Sequence, residues 1–461
     1  MTLTRRDWLA HVAAALPLAS AAWPRRATGA PPSRATGRPR PTAAQLAWQR
    51  DELAVFVHFG VNTFTDREWG DGRESPAIFA PTALDCRQWV AAAKAAGARA
   101  LVLTAKHHDG FCLWPSDTTT HSVAASPFRG GRGDVVREFT DACRAGGVRA
   151  GLYLSPWDRN HPAYGDTDAY NAIYRAQLTE LLTRYGPIHE VWFDGANGEG
   201  PNGKRQVYDW PATWNLVRQL QPDAVMFSDA GPDVRWIGNE RGVAGETNWS
   251  TVDPATVPVP GLDGDAVIRS LREGDRDGTV WRPGETDVSI RPGWFWHPAE
   301  DAAVRTPEDL EALWFTSVGR NSKLLLNVPP TREGRFHATD VAHLEAFGRR
   351  VSTRFARPVT ADARAKWRTT GDASATLDLA LRRPATIETL DLRERIEEGQ
   401  RVAAFRVSGR VAGAWRPLLE GTTIGCRRAA RIAPIVADAL RLEITDAVEP
   451  PLPVALAGFR G

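Results

Sequence analysis

The stretch LDCRQWVAAAKAAGARALVLTAKHHDG, residues 84–110, contains the unit from which the fold is built. Its Ala-rich first part, residues 84–98, predicts a helix. RALVLTAK, residues 99–106, predicts a strand because apolar residues run through it with little polar interruption. A strand that is apolar on both faces is typical of a parallel sheet covered by helices. The stretch therefore predicts one helix and strand of an α/β protein.

The same alternation runs from Leu53 to about Asn327. Further strands are predicted at LAVFVHFG (53–60), VRAGLYLS (148–155), IHEVWFDG (188–195) and AVMFSDA (224–230), with later candidates at TDVSI (286–290) and KLLLNVP (323–329). Predicted helices lie between them at 134–147, 169–186 and 210–223. Strands separated by single helices form right-handed parallel βαβ units. The pattern favours an eight-stranded (β/α)8 barrel over an open sheet.

The sequence pattern changes after about Thr353. Residues 353–461 show apolar residues at every second position, turn residues between these runs, and no long helical pattern. This predicts a separate antiparallel β-sandwich. The expected domains are a leader and linker at 1–40, a catalytic barrel at 41–352 and a sandwich at 353–461.

The first 40 residues are expected to be a targeting segment. They contain a twin arginine (Arg5, Arg6), a modest apolar stretch and small residues that suit cleavage. The pattern resembles a twin-arginine export signal and predicts a periplasmic or extracellular protein. The segment holds seven Arg and one Asp, so the formal net charge of +2 falls to about −4 without it. No basic excess then argues for nucleic acid, and no membrane association is expected of the mature chain.

Polar residues recur where the predicted strands end. Because the carboxyl ends of barrel strands meet at one mouth, these residues predict a single site; they are His58, His107, His108, Tyr153, Asp194 and Asp229. For the histidine pair, three interpretations stand: metal ligands, structural hydrogen-bonding residues, or groups that hold a polar ligand. Adjacent histidines on an extended strand point to opposite sides, which weighs against a shared metal. The 18 Trp, several of them beside polar loop residues, favour a carbohydrate ligand over a nucleotide or peptide.

Eight ordered motifs then resemble the α-L-fucosidases of glycoside hydrolase family twenty-nine, from about residue 50 to 335. They are VFVHFGVNTF, REWGDG, TAKHHDGFCLW, GLYLSPWDRNHPAYG, EVWFDGANG, WIGNERG, DVSIRPGWFWH and NSKLLLNVPP. The match is closest to the branch that removes α-1,3/1,4-linked fucose. The resemblance implies a barrel followed by a β-sandwich, which agrees with the pattern-based interpretation.

The resemblance also implies the catalytic pair. A retaining glycosidase needs two carboxyl groups about 5 Å apart, one as nucleophile and one as acid/base. The nucleophile of the family ends the WFDG strand and matches Asp194. For the acid/base, the segment RWIGNERGVAGETNWS offers Glu240, which is preferred, and Glu246 as second choice.

The sugar-binding residues of the family map onto His58, Glu68, Trp69, His107, His108 and Tyr153, with an aromatic near Trp294 for the C6 methyl group. Arg291 is either a ligand contact or a structural ion pair with Glu285 or Asp287, and Asp158 and Arg159 are candidates for contacting the next sugar. The expected ligands are fucosylated oligosaccharides or glycoconjugates, with no metal or organic cofactor. Two rivals are a barrel glycosidase of other specificity and a fucose-binding protein without catalysis.

Overall fold

The computed structural model describes residues 37–461. The predicted export signal, including Arg5 and Arg6, lies outside these residues. Within them, no helix combines the length and the apolar character needed to cross a membrane.

Eight parallel strands close into a barrel. They are β1 (Leu53–Val57), β2 (Ala100–Lys106), β3 (Arg149–Leu154), β4 (Glu190–Trp192), β5 (Val225–Ser228), β6 (Val234–Trp236), β9 (Gly284–Ser289) and β10 (Ser322–Asn327). Their order around the barrel is β1-β10-β9-β6-β5-β4-β3-β2. A two-stranded antiparallel ribbon, β7 (Thr251–Val252) and β8 (Val280–Trp281), lies outside this path. The predicted parallel barrel is confirmed.

Helices surround the barrel. They are α1 (Ala43–Arg50), α2 (Val61–Thr65), α3 (Cys86–Ala95), α4 (Val135–Gly146), α5 (Thr167–Arg184), α6 (Trp210–Leu220), α7 (Asp265–Glu273), α8 (Pro307–Thr316) and α9 (Ala338–Arg354). Short 3₁₀ turns occur at Pro76–Ile78, Val123–Ala125, Phe128–Gly131, Pro298–Glu300 and Ile396–Glu398. Several helices begin at an aspartate whose side chain accepts a backbone N–H, as Asp85 does for α3 and Asp134 does for α4. These caps fix where each helix leaves its loop.

One barrel strand departs from the helix–strand alternation. β6 follows β5 after only five residues, with no helix between them, and the two strands pair in parallel through Phe227 with Val234. The sequence pattern did not identify β6, because it has three residues and lacks a preceding helix. The other seven barrel strands overlap the predicted ones.

The C-terminal residues form an antiparallel sheet domain where the alternating pattern predicted an antiparallel β-sandwich. Its strands are β11 (Arg364–Gly371), β12 (Ser374–Arg393), β13 (Val402–Val411), β14 (Ala414–Gly421), β15 (Arg428–Ala447) and β16 (Ala455–Phe459). The order is β11-β12-β15-β13-β14, with β16 paired to β12. The first half of β12 pairs with β11, and its second half pairs with β16. The long strand β12 therefore connects β11 and β16 within the sheet. Alternate residues such as Leu377 and Leu379 enter its own core.

The sheet contacts the amino-terminal end of the barrel. Asn321, just before β10, accepts a hydrogen bond from Cys426 N at 2.7 Å and donates to Gln400 Oε1 at 3.3 Å. Arg427 pairs with Glu52, the residue before β1, at 2.7 Å. The opposite end of the barrel, where the strands finish, is therefore the end that carries the polar strand-end residues.

Candidate active site

Asp194 is the carboxylate at the centre of this polar end. It follows β4 by two residues, and its Oδ2 accepts a hydrogen bond from Tyr153 Oη at 3.1 Å. His108 Nε2 lies 3.9 Å from the same oxygen, and Ala196 N donates to Oδ1 at 2.7 Å. The Asp194 side chain is 13% exposed. The carboxylate is thus oriented by its neighbours and still reaches the pocket.

The three predicted histidines lie side by side. The His107 ring centroid is 4.1 Å from that of His108 and 5.6 Å from that of His58. Burial, followed by the neighbouring histidines, lowers the pKa of His107 well below its usual value. Burial lowers the pKa of His58 to about 4. His58 and His107 are therefore neutral near pH 7 and offer the hydrogen-bonding capacity of uncharged imidazoles.

Two residues that the sequence analysis missed orient the outer histidines. His58 Nδ1 lies 2.8 Å from Asn327 Oδ1, and His108 Nδ1 lies 2.7 Å from Ser155 Oγ. Ser155 donates its own proton to Trp157 O at 2.6 Å, so it accepts from His108. Asn327 and Ser155 sit at strand ends, and the strand-end rule that selected the histidines would have found them too.

Indole rings line the pocket. The Trp69 ring is 6.0 Å from His108 and 5.9 Å from Trp157, both in edge-to-face geometry. The Trp294 ring is 5.2 Å from His58. Aromatic surfaces beside neutral hydrogen-bonding groups suit the mixed apolar and hydroxyl faces of a sugar.

Glu68 lies at the pocket, and its carboxylate stabilises a neighbouring loop. Its two oxygens accept from the backbone N–H groups of Trp294 at 2.9 Å and Phe295 at 3.1 Å. His297 Nε2 contacts it at 2.7 Å, and this hydrogen bond raises the pKa of His297 to about 9. Glu68 therefore holds the Trp294 loop in place, and its side chain keeps 25% exposure.

The two acid/base candidates lie at different levels of the barrel. Glu240 is half-buried and follows the end of β6 by four residues, at the same barrel end as Asp194. Glu246 is 63% exposed and pairs with Arg428 at 2.5 Å and with Arg320. Although partial burial raises the pKa of Glu246, these arginines outweigh it and the net shift is downward.

Arg320 precedes β10, whereas Asn327 at the other end of β10 contacts His58. Seven residues of extended chain span about 20 Å. Glu246 therefore lies toward the end of the barrel where β10 begins, whereas Glu240 follows the end of β6.

Arg291 belongs to a group of buried ion pairs. Its guanidinium has no exposure and forms two hydrogen bonds with Asp340, each 2.9 Å long. It also pairs with Asp301 at 2.8 Å. Of the two alternatives, the structure shows the ion pair and not the ligand contact, with Asp301 and Asp340 as partners instead of Glu285 or Asp287.

Asp158 is likewise unavailable for a second sugar. It is buried and pairs with Lys106 at 3.0 Å, while its Oδ1 accepts the backbone N–H groups of Asn160 and His161. Arg159 donates to Gly70 O and lies over the Trp157 ring at 5.3 Å. Asp158 is structural because any change there would leave a buried lysine without its anion. Asp229, at the end of β5, accepts from Gly261 N at 3.1 Å.

A parallel barrel whose strand ends present an oriented carboxylate, neutral histidines and indole rings has the arrangement of a barrel glycosidase. Among residues 37–461, no three His, Cys, Asp or Glu side chains group so as to hold a metal ion.

Comparison with known proteins narrows this class. Residues 73–353 match the family described as Alpha-L-fucosidase. Alpha-L-fucosidase 1 of Arabidopsis thaliana is 43% identical over 444 residues, covering 90% of this chain and 86% of the plant protein. A glycoside hydrolase 29 family member from an unknown rumen bacterium is 42% identical, with a TM-score of 0.85 over 92% of this chain and 77% of that chain. A Ruminococcus gnavus GH29 fucosidase, solved in complex with fucose, is 31% identical, with a TM-score of 0.83 over 94% of this chain and 97% of that chain. The chain belongs to the α-L-fucosidase family of glycoside hydrolases.

Proposed function

We propose that this chain is a retaining exo-α-L-fucosidase that releases terminal α-1,3/1,4-linked L-fucose from glycans, with Asp194 as nucleophile and Glu240 as acid/base. The observation that carries the proposal is the Asp194 carboxylate, which is held by Tyr153 Oη at 3.1 Å inside a pocket of neutral histidines. Family membership and the fucose complex of the Ruminococcus gnavus relative support the substrate class.

The reaction proceeds in two displacements. Asp194 attacks the anomeric carbon while Glu240 gives its proton to the departing glycosidic oxygen, which leaves a fucosyl ester on Asp194. Glu240 then takes a proton from the water that cleaves this ester, so both carboxyl groups return to their starting states. The hydrogen bonds from Tyr153 and Ala196 aim the carboxylate oxygens before the sugar arrives.

Sugar binding is assigned to the surrounding side chains. We infer that His58, His107 and His108 bond hydroxyl groups and that Trp69 and Trp294 cover apolar faces, including the C6 methyl group. Glu68 contributes chiefly by fixing the Trp294 loop through the two backbone N–H groups that it accepts.

The nucleophile assignment is tested with Asp194→Ala. We expect fucose release to fall roughly 10⁴-fold or more, because a catalytic unit without its nucleophile loses nearly all its rate advantage. Added azide should restore part of the activity and give the β-fucosyl azide, identified by NMR. Unchanged activity in this variant would contradict the assignment.

The acid/base assignment is tested with Glu240→Ala against Glu246→Ala as the matched control. The Glu240 variant should lose far more rate on natural glycans than on aryl fucosides, whose good leaving groups need little acid help. The Glu246 variant should keep near wild-type rates on both, because this residue is exposed and ion-paired at the other barrel end. The reverse pattern would exchange the two roles.

Linkage preference is tested with a branched Lewis-type glycan, a 2′-linked fucoside and an aryl fucoside. The proposed branch predicts release from the Lewis-type glycan and little from the 2′-linked one. Binding of fucose without release from any of the three would favour the rival of a non-catalytic fucose-binding protein. Release of a different sugar from a broader panel of aryl glycosides would favour a glycosidase of other specificity.

We also propose that residues 1–40 direct export through the twin-arginine pathway. The pair Arg5 and Arg6 and the apolar stretch behind it support this. Expression in a bacterium with that pathway should place the chain in the periplasm, and replacing both arginines by lysine should retain it in the cytoplasm. Equal periplasmic amounts of both proteins would refute the proposal.

A further inference from the structure

The side-chain amide of Asn327 is locked in one orientation. Its Nδ2 donates to Trp294 O at 2.8 Å and to Ser289 Oγ at 2.9 Å. Ser289 donates its own proton to Gly293 O at 2.7 Å, so it accepts from Asn327. Trp294 O can only accept a hydrogen bond, so the nitrogen of the Asn327 amide must face Trp294. The other atom of the amide, Asn327 Oδ1, then faces His58.

This orientation determines where His58 carries its proton. His58 Nδ1 lies 2.8 Å from Asn327 Oδ1, which only accepts, so Nδ1 is the protonated nitrogen. In a neutral imidazole the other nitrogen, Nε2, is then an acceptor. The His58 ring lies 5.2 Å from that of Trp294, 5.6 Å from that of His107 and 6.2 Å from that of Tyr153. The His58 ring therefore lies among the side chains of the pocket that contains Asp194, and Nε2 is its acceptor nitrogen.

We propose that Asn327 is a positioning residue for sugar recognition, which holds the proton on His58 Nδ1 so that His58 Nε2 accepts a hydrogen bond from a sugar hydroxyl. The identity of the sugar as a fucoside rests on the proposed function, whereas the assignment of the proton does not. The sugar must donate a hydrogen bond to His58 Nε2 at this position. A methoxy or fluoro substituent in place of the hydroxyl cannot donate and therefore loses this hydrogen bond.

The charged groups that face His58 leave it neutral at working pH. Asp194 and Glu68 favour the imidazolium, and so does the bond to Asn327, whereas His108 disfavours it. Burial exceeds all of these and lowers the pKa of His58 to about 4. The neighbouring His107 ring is itself neutral, because burial lowers the pKa of His107 well below its usual value. The acceptor form consequently persists from about pH 5 to pH 8.

The test begins with the unmodified protein. Histidine-selective ¹⁵N NMR distinguishes a protonated from an unprotonated ring nitrogen, and His58→Gln identifies the His58 signals by their loss. We expect an unprotonated Nε2 and a protonated Nδ1 throughout pH 5 to 8. A protonated Nε2 in this range would overturn the proposal.

A second experiment compares the titration of His58 in Asn327→Asp with that in Ser289→Ala, which serves as the matched control. A carboxylate against Nδ1 should raise the titration midpoint of His58 by about 1–3 pH units. Below the new midpoint Nε2 is protonated, and the KM for an aryl fucoside, relative to wild type, should rise roughly tenfold, with kcat affected less. Ser289→Ala removes one partner of the same amide without adding charge, so the His58 midpoint should stay in place. Equal midpoints in wild type and Asn327→Asp would refute a positioning role.

Adding L-fucose separates this inference from the proposed function. The His58 Nε2 resonance should shift on binding, because the nitrogen gains a donor. An unshifted resonance in an enzyme that releases fucose would overturn the hydroxyl contact alone. Absence of fucose binding and release, with the expected proton on Nδ1, would overturn the proposed function and the hydroxyl contact while the assignment of the proton stands.

Discussion

Three ionisable side chains meet in the buried interior of the barrel. Lys323 Nζ lies 2.8 Å from Glu190 Oε2 and 3.4 Å from Glu285 Oε1, and none of the three side chains is exposed. One cation faces two carboxyl groups, and burial, followed by the charge of Glu190, raises the pKa of Glu285 well above its usual value. Glu285 Oε2 accepts from Trp192 Nε1 at 3.2 Å. Glu190 Oε1 and Glu285 Oε1 have no hydrogen-bond partner within residues 37–461, and we expect a proton shared between the two carboxyl groups to satisfy both oxygens.

Replacing Glu285 by Gln removes this proton while keeping the shape. The amide oxygen can still accept from Trp192, and the amide nitrogen can donate to Glu190 as the acid hydroxyl did. In the wild type, the unfolded chain loses the Glu285 proton above about pH 4.5, whereas the raised pKa of Glu285 lets the folded chain keep it to higher pH. Folding therefore takes up a proton, and stability falls as pH rises, by at most about 1.4 kcal/mol per pH unit.

The variant lacks this dependence. Between pH 5 and pH 7, the free energy of unfolding of Glu285→Gln relative to wild type should increase by up to about 2.8 kcal/mol. Urea unfolding followed by tryptophan fluorescence at pH 5, 6, 7 and 8 measures it. Lys323→Met is the opposing control, because without the cation both carboxyl groups must stay protonated and stability should fall more steeply with pH. Parallel stability profiles for wild type and Glu285→Gln would refute a shared proton.

Three other substitutions follow from the site. Tyr153→Phe removes a donor to the nucleophile carboxylate and should lower kcat by about 10²-fold with a smaller change in KM; a kcat within threefold of wild type would contradict its orienting role. His297→Gln removes a cation whose folded-state pKa is raised to about 9, so the stability it provides should be complete below about pH 6.5 and lost as pH rises through 9. After solvent screening we expect about 1 kcal/mol, measured as a Tm difference that shrinks between pH 6 and pH 9.5 and contradicted by a constant one. Arg291→Met leaves Asp340 buried without its cation and should destabilise the fold by about 3–5 kcal/mol, with partial recovery in the Arg291→Met/Asp340→Asn double variant; equal unfolding midpoints for both would contradict this account.

Much of the barrel was predictable because its strands are buried on both faces and so carry continuous apolar runs. The sequence predicted β2 and its helix α3 to within a few residues. β6 escaped because a three-residue strand without a helix before it leaves no periodic signal. The alternation after Thr353 predicted the antiparallel sheet for the converse reason, since one face of each strand meets the core and the other meets solvent.

Some residues of the site could be predicted from the sequence, and others could not. Strand-end position sufficed to gather His58, His107, His108 and Asp194, because the topology of a parallel barrel brings strand ends together whatever the side chains are. Position did not distinguish a ligand contact from a structural ion pair. The partners of Arg291 come from Asp301 and from Asp340 on α9, 49 residues further along the chain, and no local pattern relates them.

The two acid/base candidates are separated by the path of the chain and not by their local sequence. Glu240 and Glu246 are six residues apart and share one polar, Trp-containing segment, so composition treats them alike. After β6, however, this segment descends the outside of the barrel where a helix would normally run, and Ala244 N bonds Thr316 O near the far end at 2.8 Å. Glu246 contacts the C-terminal sheet through Arg428, whereas Glu240 lies only four residues after the end of β6.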